Sequence, residues 1–165
     1  DELQNLERSV QRVEKALNQI ADKHPGITLV QTIPGVGPRT AEAVVASIDD
    51  SRRFARNKAI GNYFGLIPCQ DQSASKNRLG HITQDGPAAV RALLTEAAWQ
   101  GIRRSPHLKQ YFERVGHGDP TRKKIAVVAT AHYLARVMLA MLRSGQAWRY
   151  ENKGGKQQAA ETKAA

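Results

Sequence analysis

The chain has 165 residues, 25 Lys and Arg against 15 Asp and Glu for a formal charge of +10, and a single cysteine, Cys69. That length suits one domain with an appendage. One cysteine excludes an internal disulfide framework and fits a reducing, cytoplasmic compartment. The positive surplus favours a polyanionic partner, because each phosphate neutralised releases condensed counterions. No apolar run approaches the roughly 20 residues of a membrane span, and the acidic, amphipathic N-terminus is not a signal peptide.

Residues 1–24 read as a coiled-coil helix. Leu3, Leu6, Val10, Val13, Leu17 and Ile20 follow one another at spacings of three and four, with charged and amide side chains between. Pro25-Gly26 ends it. With about three heptads, the stripe either meets a helical partner, in a homo-oligomer or elsewhere in a longer chain, or packs on its own domain.

Residues 27–150 read as one helical domain. A short helix is predicted over Ala41 to Ile48, with Ala43, Val44 and Ile48 available for the core. Ser51 caps a turn in which Arg52, Arg53, Arg56 and Lys58 cluster, and a short helix follows over Asn57 to Phe64. From Gly65 to Gly86 no helical period is present. A segment of that length without structure inside a domain is generally functional or disordered. Helical pattern resumes at Pro87, with Val90, Leu93, Leu94, Ala97, Ala98 and Ile102 on one face. Ser105-Pro106 starts a shorter helix through Leu108, Tyr111, Phe112 and Val115. The longest apolar helix runs from about Thr121 to Arg143, carrying Ile125, Val128, Tyr133, Leu134, Val137, Met138 and Leu142 toward the core. Residues 151–165 read as a disordered tail. No strand signal competes, so the predicted fold class is all-α: a coiled-coil helix, then a compact helical domain with a long irregular loop.

Two segments carry chemistry. Ile33 to Ala41 has the helix-hairpin-helix pattern: apolar, x, Gly, x, Gly, three residues, then Ala. Gly35 and Gly37 permit positive φ and let backbone approach a phosphate; Val36 lies between them. The N–H groups opening the next helix are anion donors, to which Arg39 and Thr40 add a charge and a hydroxyl. Such contacts position a nucleic acid without reading its sequence, whereas the alternative is a tight turn with no ligand. The second segment is Ser73-Ala74-Ser75-Lys76-Asn77-Arg78, followed by His81. A serine can attack phosphorus if its proton is taken and charge growing on the phosphate is stabilised, as Lys76 and Arg78 could do. By chemistry alone a solvated loop is the commoner meaning. His24, His81, His107, His117 and His132 show no metal-ligand spacing.

Ile33-Pro34-Gly35-Val36-Gly37, Gly65-Leu66-Ile67-Pro68, Ser73, Arg78-Leu79-Gly80-His81-Ile82-Thr83, Gly86, Arg91-Leu93-Leu94 and Glu96-Ala97-Ala98-Trp99 stand in an order that resembles the C-terminal "transposase 20" domain. That domain belongs to DEDD-type, bridge-RNA-guided insertion-sequence transposases. Lys124 to Ala129, with His132 and Leu134, fits its last helix, and the likeness covers roughly residues 29 to 149. The resemblance implies a DNA recombinase whose separate N-terminal domain holds divalent metal through four acidic residues. It also implies a structured guide RNA as a further partner, protomers joined by the coiled coil, and a serine that links covalently to DNA. Counted back from Gly80, that serine is Ser73. Ala74 replaces the glycine usual after it, which keeps Ser75 as a second candidate. The acidic domain is absent here, so the chain is expected to bind nucleic acid but not to recombine alone, with no cofactor of its own. The competing readings are a non-catalytic helix-hairpin-helix module of a repair or structure-specific DNA protein, and a structural RNA-binding protein acting through charge.

Overall fold

The computed structural model describes residues 1–73 and 76–149, and the side chains of all of these except 70–79. Seven helices and one two-stranded sheet follow in chain order. They are α1 (Glu2–Ala21), α2 (Pro25–Gln31), α3 (Pro38–Ile48), α4 (Ala59–Tyr63), β1 (Pro68–Ser73), β2 (Lys76–Ile82), α5 (Ala88–Arg104), α6 (Pro106–Gly116) and α7 (Lys123–Ser144). Single 3-10 turns lie at Ser51–Arg53 and Pro120–Arg122. The architecture is mostly helical, as composition and periodicity predict.

Helix starts follow from local chemistry. Proline occupies the first turn of α2, α3 and α6, where its missing N–H costs nothing, and the Ser105 hydroxyl accepts from the Leu108 amide to cap α6. His117 and Gly145 close α6 and α7 in left-handed conformation. The core gathers Val30, Ile33, Val44, Ile48, Ile60, Phe64, Leu94, Leu108, Leu134, Met138 and Leu139. α7 is its axis, packed by α5 and α6 and by the shorter α2 and α4.

Several expectations change. α3 begins three residues before Ala41, and on α7 small residues share the buried face with the expected Leu134 and Met138. Ala126, Val127, Ala131, Ala135 and Leu139 are buried, whereas Ile125 is 59% exposed. Small residues let α7 approach its neighbours closely, so burial follows them. The stretch Pro120–Ser144 has the length and apolarity of a membrane span, contrary to the sequence expectation. Half of its apolar window is nonetheless buried against the other helices. The irregular loop is replaced by an antiparallel hairpin, β1 on β2, in the register Pro68↔Ile82 to Ser73↔Lys76, with a bulge between Pro68 and Gln70.

α1 does not pack its stripe on this domain. Leu3, Leu6, Val10, Val13 and Ile20 are all more than half exposed, from 56% at Val10 to 69% at Leu3. Only Ala21, at its end, is buried.

Candidate nucleic-acid interface

The glycine turn joins α2 to α3, and its two glycines do different things. Gly35 has φ +93°, and a Cβ there would overlap the Gly101 amide nitrogen of α5 and lie 2.7 Å from its Cα. Its small size serves a backbone-on-helix contact inside the domain. Gly101 answers in kind, because a Cβ on it would lie 3.0 Å from the Pro34 carbonyl oxygen. Gly37, the N-cap of α3, has φ −85° and ψ 170°, a backbone that any residue adopts. Nothing lies within 4 Å of where its Cβ would stand. The positive φ expected at both glycines is therefore present at Gly35 alone, while open space for a close approach exists at Gly37 alone.

α3 has no side-chain cap, and the first backbone bond of its opening turn runs from the Ala41 N–H to the Gly37 carbonyl. The amides of the opening turn before Ala41 have no intrahelical partner. Val36 and Thr40 are buried, so neither side chain reaches outward. Arg39 is spoken for within the chain. Its Nη1 donates to Glu42 Oε1 and Oε2 at 2.9 and 2.7 Å, and its Nη2 to Asn18 Oδ1 at 3.0 Å. That guanidinium ties α1 to α3. A groove of about 330 Å³ adjoins the turn, lined on the far side by Leu93, Glu96, Ala97, Gln100 and Arg104 of α5.

The hairpin that carries Ser73 is fastened at its foot. Gly65 has φ +64° and Gly86 φ +80°. A Cβ on Gly65 would overlap the Asp85 carbonyl, and one on Gly86 the Tyr63 carbonyl. The chain entering the hairpin and the chain leaving it thus touch backbone to backbone. The Thr83 amide donates to the Ile67 carbonyl at 2.9 Å, and the Gln84 amide to the Gly65 carbonyl at 3.3 Å. Arg91, in the first turn of α5, aims Nη1 at the carbonyls of Asp85 (2.9 Å), Gly86 (3.0 Å) and Phe64 (3.4 Å). Past this neck neither strand packs extensively on a helix among the described residues, so the hairpin stands off the helical body. Ser73 pairs with Lys76, and Asp71 with Arg78, in backbone register. The side chains of Ser73, Lys76 and Arg78, and all of Ser75, lie outside the described residues.

Gly65, Gly86 and Arg91 are therefore the residues whose role spacing alone did not reveal. The signal available was two glycines bracketing a polar segment, followed five residues later by an arginine. The turn and the neck both lean on α5: Arg91 opens that helix and Arg104 closes it. At about 1.5 Å rise per residue the two ends stand roughly 20 Å apart.

Two histidines sit in the packing. His132 lies against Gly61 of α4 with no partner for Nε2, and burial, then the charge of Arg136, hold its pKa below the usual value. His107 Nε2 lies 2.8 Å from the Tyr133 hydroxyl, and burial, then Arg114, lower its pKa likewise. Among the described residues no three His, Cys, Asp or Glu side chains are grouped to share a metal ion.

Comparison with known proteins places this architecture. The chain is 31% identical over 144 residues to a "Probable family 20 transposase" of Pseudomonas aeruginosa, covering 86% of this chain and 43% of that protein. It is 31% identical over 156 residues to the "Transposase for insertion sequence element IS1111A" of Coxiella burnetii, covering 90% and 41%. It is 25% identical over 152 residues to the "Pilin gene-inverting protein" of Moraxella bovis, covering 88% and 47%. The chain thus spans less than half the length of these curated relatives. The profile of the Transposase IS116/IS110/IS902 family matches residues 27–113, which run from α2 through the glycine turn and the hairpin into α6, and with more than half of the chain so matched the protein belongs to that family.

Proposed function

We propose that this chain is the DNA-gripping, serine-bearing part of an insertion-sequence recombinase, with Ser73 the nucleophile of strand exchange. The observation that carries the reading is the hairpin: a family member places a serine at the far end of a strand whose foot is locked by Gly65, Gly86 and Arg91. From Pro68 to Ser73 the strand reaches roughly 17 Å at about 3.3 Å per residue, enough to enter a DNA groove from a fixed base. In the step, Ser73 Oγ bonds to phosphorus, its proton passes to a base, and the 3′ or 5′ oxygen of the broken strand leaves with the electron pair. Lys76 and Arg78, nearby in the hairpin sequence, suit stabilisation of the added phosphoryl charge.

The amides of Gly37, Arg39 and Thr40, at the start of α3, are suited to the DNA backbone, as helix N-termini are to phosphate. Since Arg39 is held by Glu42 and Asn18, its backbone N–H is the better donor to the ligand and its side chain the better brace for α1. The exposed stripe of α1 is suited to a coiled coil with a second protomer. A guide RNA and a metal-holding acidic domain belong to the full-length protein in this reading.

The test is a trapping reaction with the full-length protein on nicked suicide DNA. A protein–DNA adduct is expected at Ser73 and is lost in Ser73→Ala, while binding remains. An adduct that survives Ser73→Ala assigns the nucleophile elsewhere, with Ser75 tested next. If an active protein forms no adduct at all, the helix-hairpin-helix module without chemistry of its own becomes the better description.

A further inference from the structure

The segment 51–58 lies between α3 and α4 and holds four cations in seven residues: Arg52, Arg53, Arg56 and Lys58, all exposed. Neither the glycine turn nor the hairpin uses them. What distinguishes this segment from an ordinary solvated charge run is how firmly it is fixed. Arg143, near the end of α7, donates Nε to the Ser51 carbonyl at 3.1 Å and Nη1 to Asn57 Oδ1 at 2.7 Å, and it also bonds the Phe54 carbonyl. Asp50 caps the turn, accepting from the Arg52 amide at 2.9 Å and from Arg52 Nε at 3.2 Å. Phe54 is buried beneath it. The Arg53 guanidinium lies 5.1 Å from the Phe54 ring centroid and 4.7 Å from that of Tyr63.

A guanidinium laid over two rings, on a segment pinned at three acceptors, loses little conformational freedom when it meets an anion. Among the described residues Arg52 is the one cation of the four with a carboxylate partner, Asp50; Asp49 is exposed beside it. Two acids thus offset two of four cations, and Arg143 adds one more positive charge at the edge. An open groove of about 560 Å³ runs between Arg52, Phe54 and Ala55 on one side and Leu142 and Arg143 on the other. Its position matters as much as its charge. Tyr63, which carries Arg53 on its ring, is the residue whose carbonyl abuts Gly86 at the foot of the hairpin.

We propose that the segment Ser51–Lys58 is a second phosphodiester-binding ridge, in which Arg53, Arg56 and Lys58 hold nucleic-acid backbone beside the foot of the hairpin. The proposal rests on the reading that this protein binds nucleic acid. A nucleic-acid strand lying along the ridge passes the neck and is delivered toward the β1–β2 hairpin, so the ridge orients the strand and the hairpin acts on it.

The test uses fluorescence anisotropy of the chain with a labelled DNA duplex and, separately, a structured RNA hairpin, at about 50 to 200 mM salt. Arg56→Ala/Lys58→Ala removes two exposed cations, and Arg8→Ala/Lys15→Ala removes the same charge from α1. Each lost phosphate contact lowers the slope of log K against log salt by about 0.9 on duplex DNA. The ridge variant is therefore expected to lose about tenfold less affinity than the unaltered chain over that fourfold salt range, and the α1 variant to match the unaltered chain. A slope change on the duplex assigns the ridge to DNA; one confined to the hairpin assigns it to RNA. Equal slope changes in both variants, or none in the ridge variant, overturn the ridge while leaving nucleic-acid binding intact. Failure of the unaltered chain to bind either probe overturns both. The Ser73 adduct is read independently of all these outcomes.

Discussion

Alanine at Gly35 meets two penalties at once. The new methyl is driven into the backbone of α5, overlapping the Gly101 nitrogen and lying 2.7 Å from its Cα and 2.8 Å from the Gln100 carbonyl carbon, none of which can rotate away. Overpacking of this kind costs about 1–3 kcal/mol, and an L-residue held at positive φ about 1–2 kcal/mol more. A total near 3 kcal/mol is a large share of the stability of a domain this size and corresponds to a melting temperature lower by roughly 6–12 °C. Gly37→Ala provides the contrast, at φ −85° with no atom within 4 Å. A small gain from restricting the unfolded chain, about 0.4–1 kcal/mol, offsets the loss of a good N-cap, so its melting temperature stays within about 2 °C. The methyl takes up space on the open side of the turn, where the proposed phosphate contact would lie, so duplex affinity is expected to fall instead. Differential scanning calorimetry and DNA titration on the two variants separate these effects. A Gly35→Ala protein that melts with the unaltered chain would refute the packing argument.

Three further expectations follow from other contacts. Nη1 of Arg91 has two hydrogens for three carbonyls, so Arg91→Ala loses at most two full charged bonds, about 2 kcal/mol on partly exposed groups. In the full-length protein strand transfer should fall well beyond any change in DNA affinity, and equal losses in both would place Arg91 in general folding. His132 and His107 are held below their ordinary pKa by burial. The unfolded chain then binds more protons, and stability is fully present above about pH 6.5 and lost as the pH falls through that value toward the folded pKa. Melting at pH 5 should therefore be lower than at pH 7.5, with a smaller difference in His132→Gln. Finally, Leu6→Glu/Val13→Glu places charge in the exposed stripe of α1, the proposed coiled-coil face, and is expected to abolish the self-association proposed for it in sedimentation analysis without altering the melting of the helical body. Unchanged self-association would move the oligomer contact elsewhere.

Most helices were legible because their causes are local: Pro106 opens α6 and Ser105 caps it, whereas Pro25 and Pro38, read as a helix end and as part of a turn, in fact open α2 and α3. The hairpin was not legible, because PCQDQS and KNRLGHI show neither period-two alternation nor β-branched residues apart from one isoleucine. What shapes it is non-local: Gly65 against Asp85, Gly86 against Tyr63, and an arginine from the next helix. The glycine turn was recognisable as a pattern, but the reason for Gly35 is Gly101, 66 residues away in sequence. The burial of Ala126 and Ala131 in place of Ile125 likewise depends on how near the neighbouring helices come.

Arg39 has a consequence of its own. One guanidinium is shared between Glu42, inside α3, and Asn18, on the helix whose apolar stripe faces solvent. A phosphate that recruited this guanidinium would release Asn18, and a partner that levered α1 aside would set the guanidinium free to meet a phosphate. On the proposed reading, assembly and DNA engagement would draw on one cation and so be coupled through a single side chain.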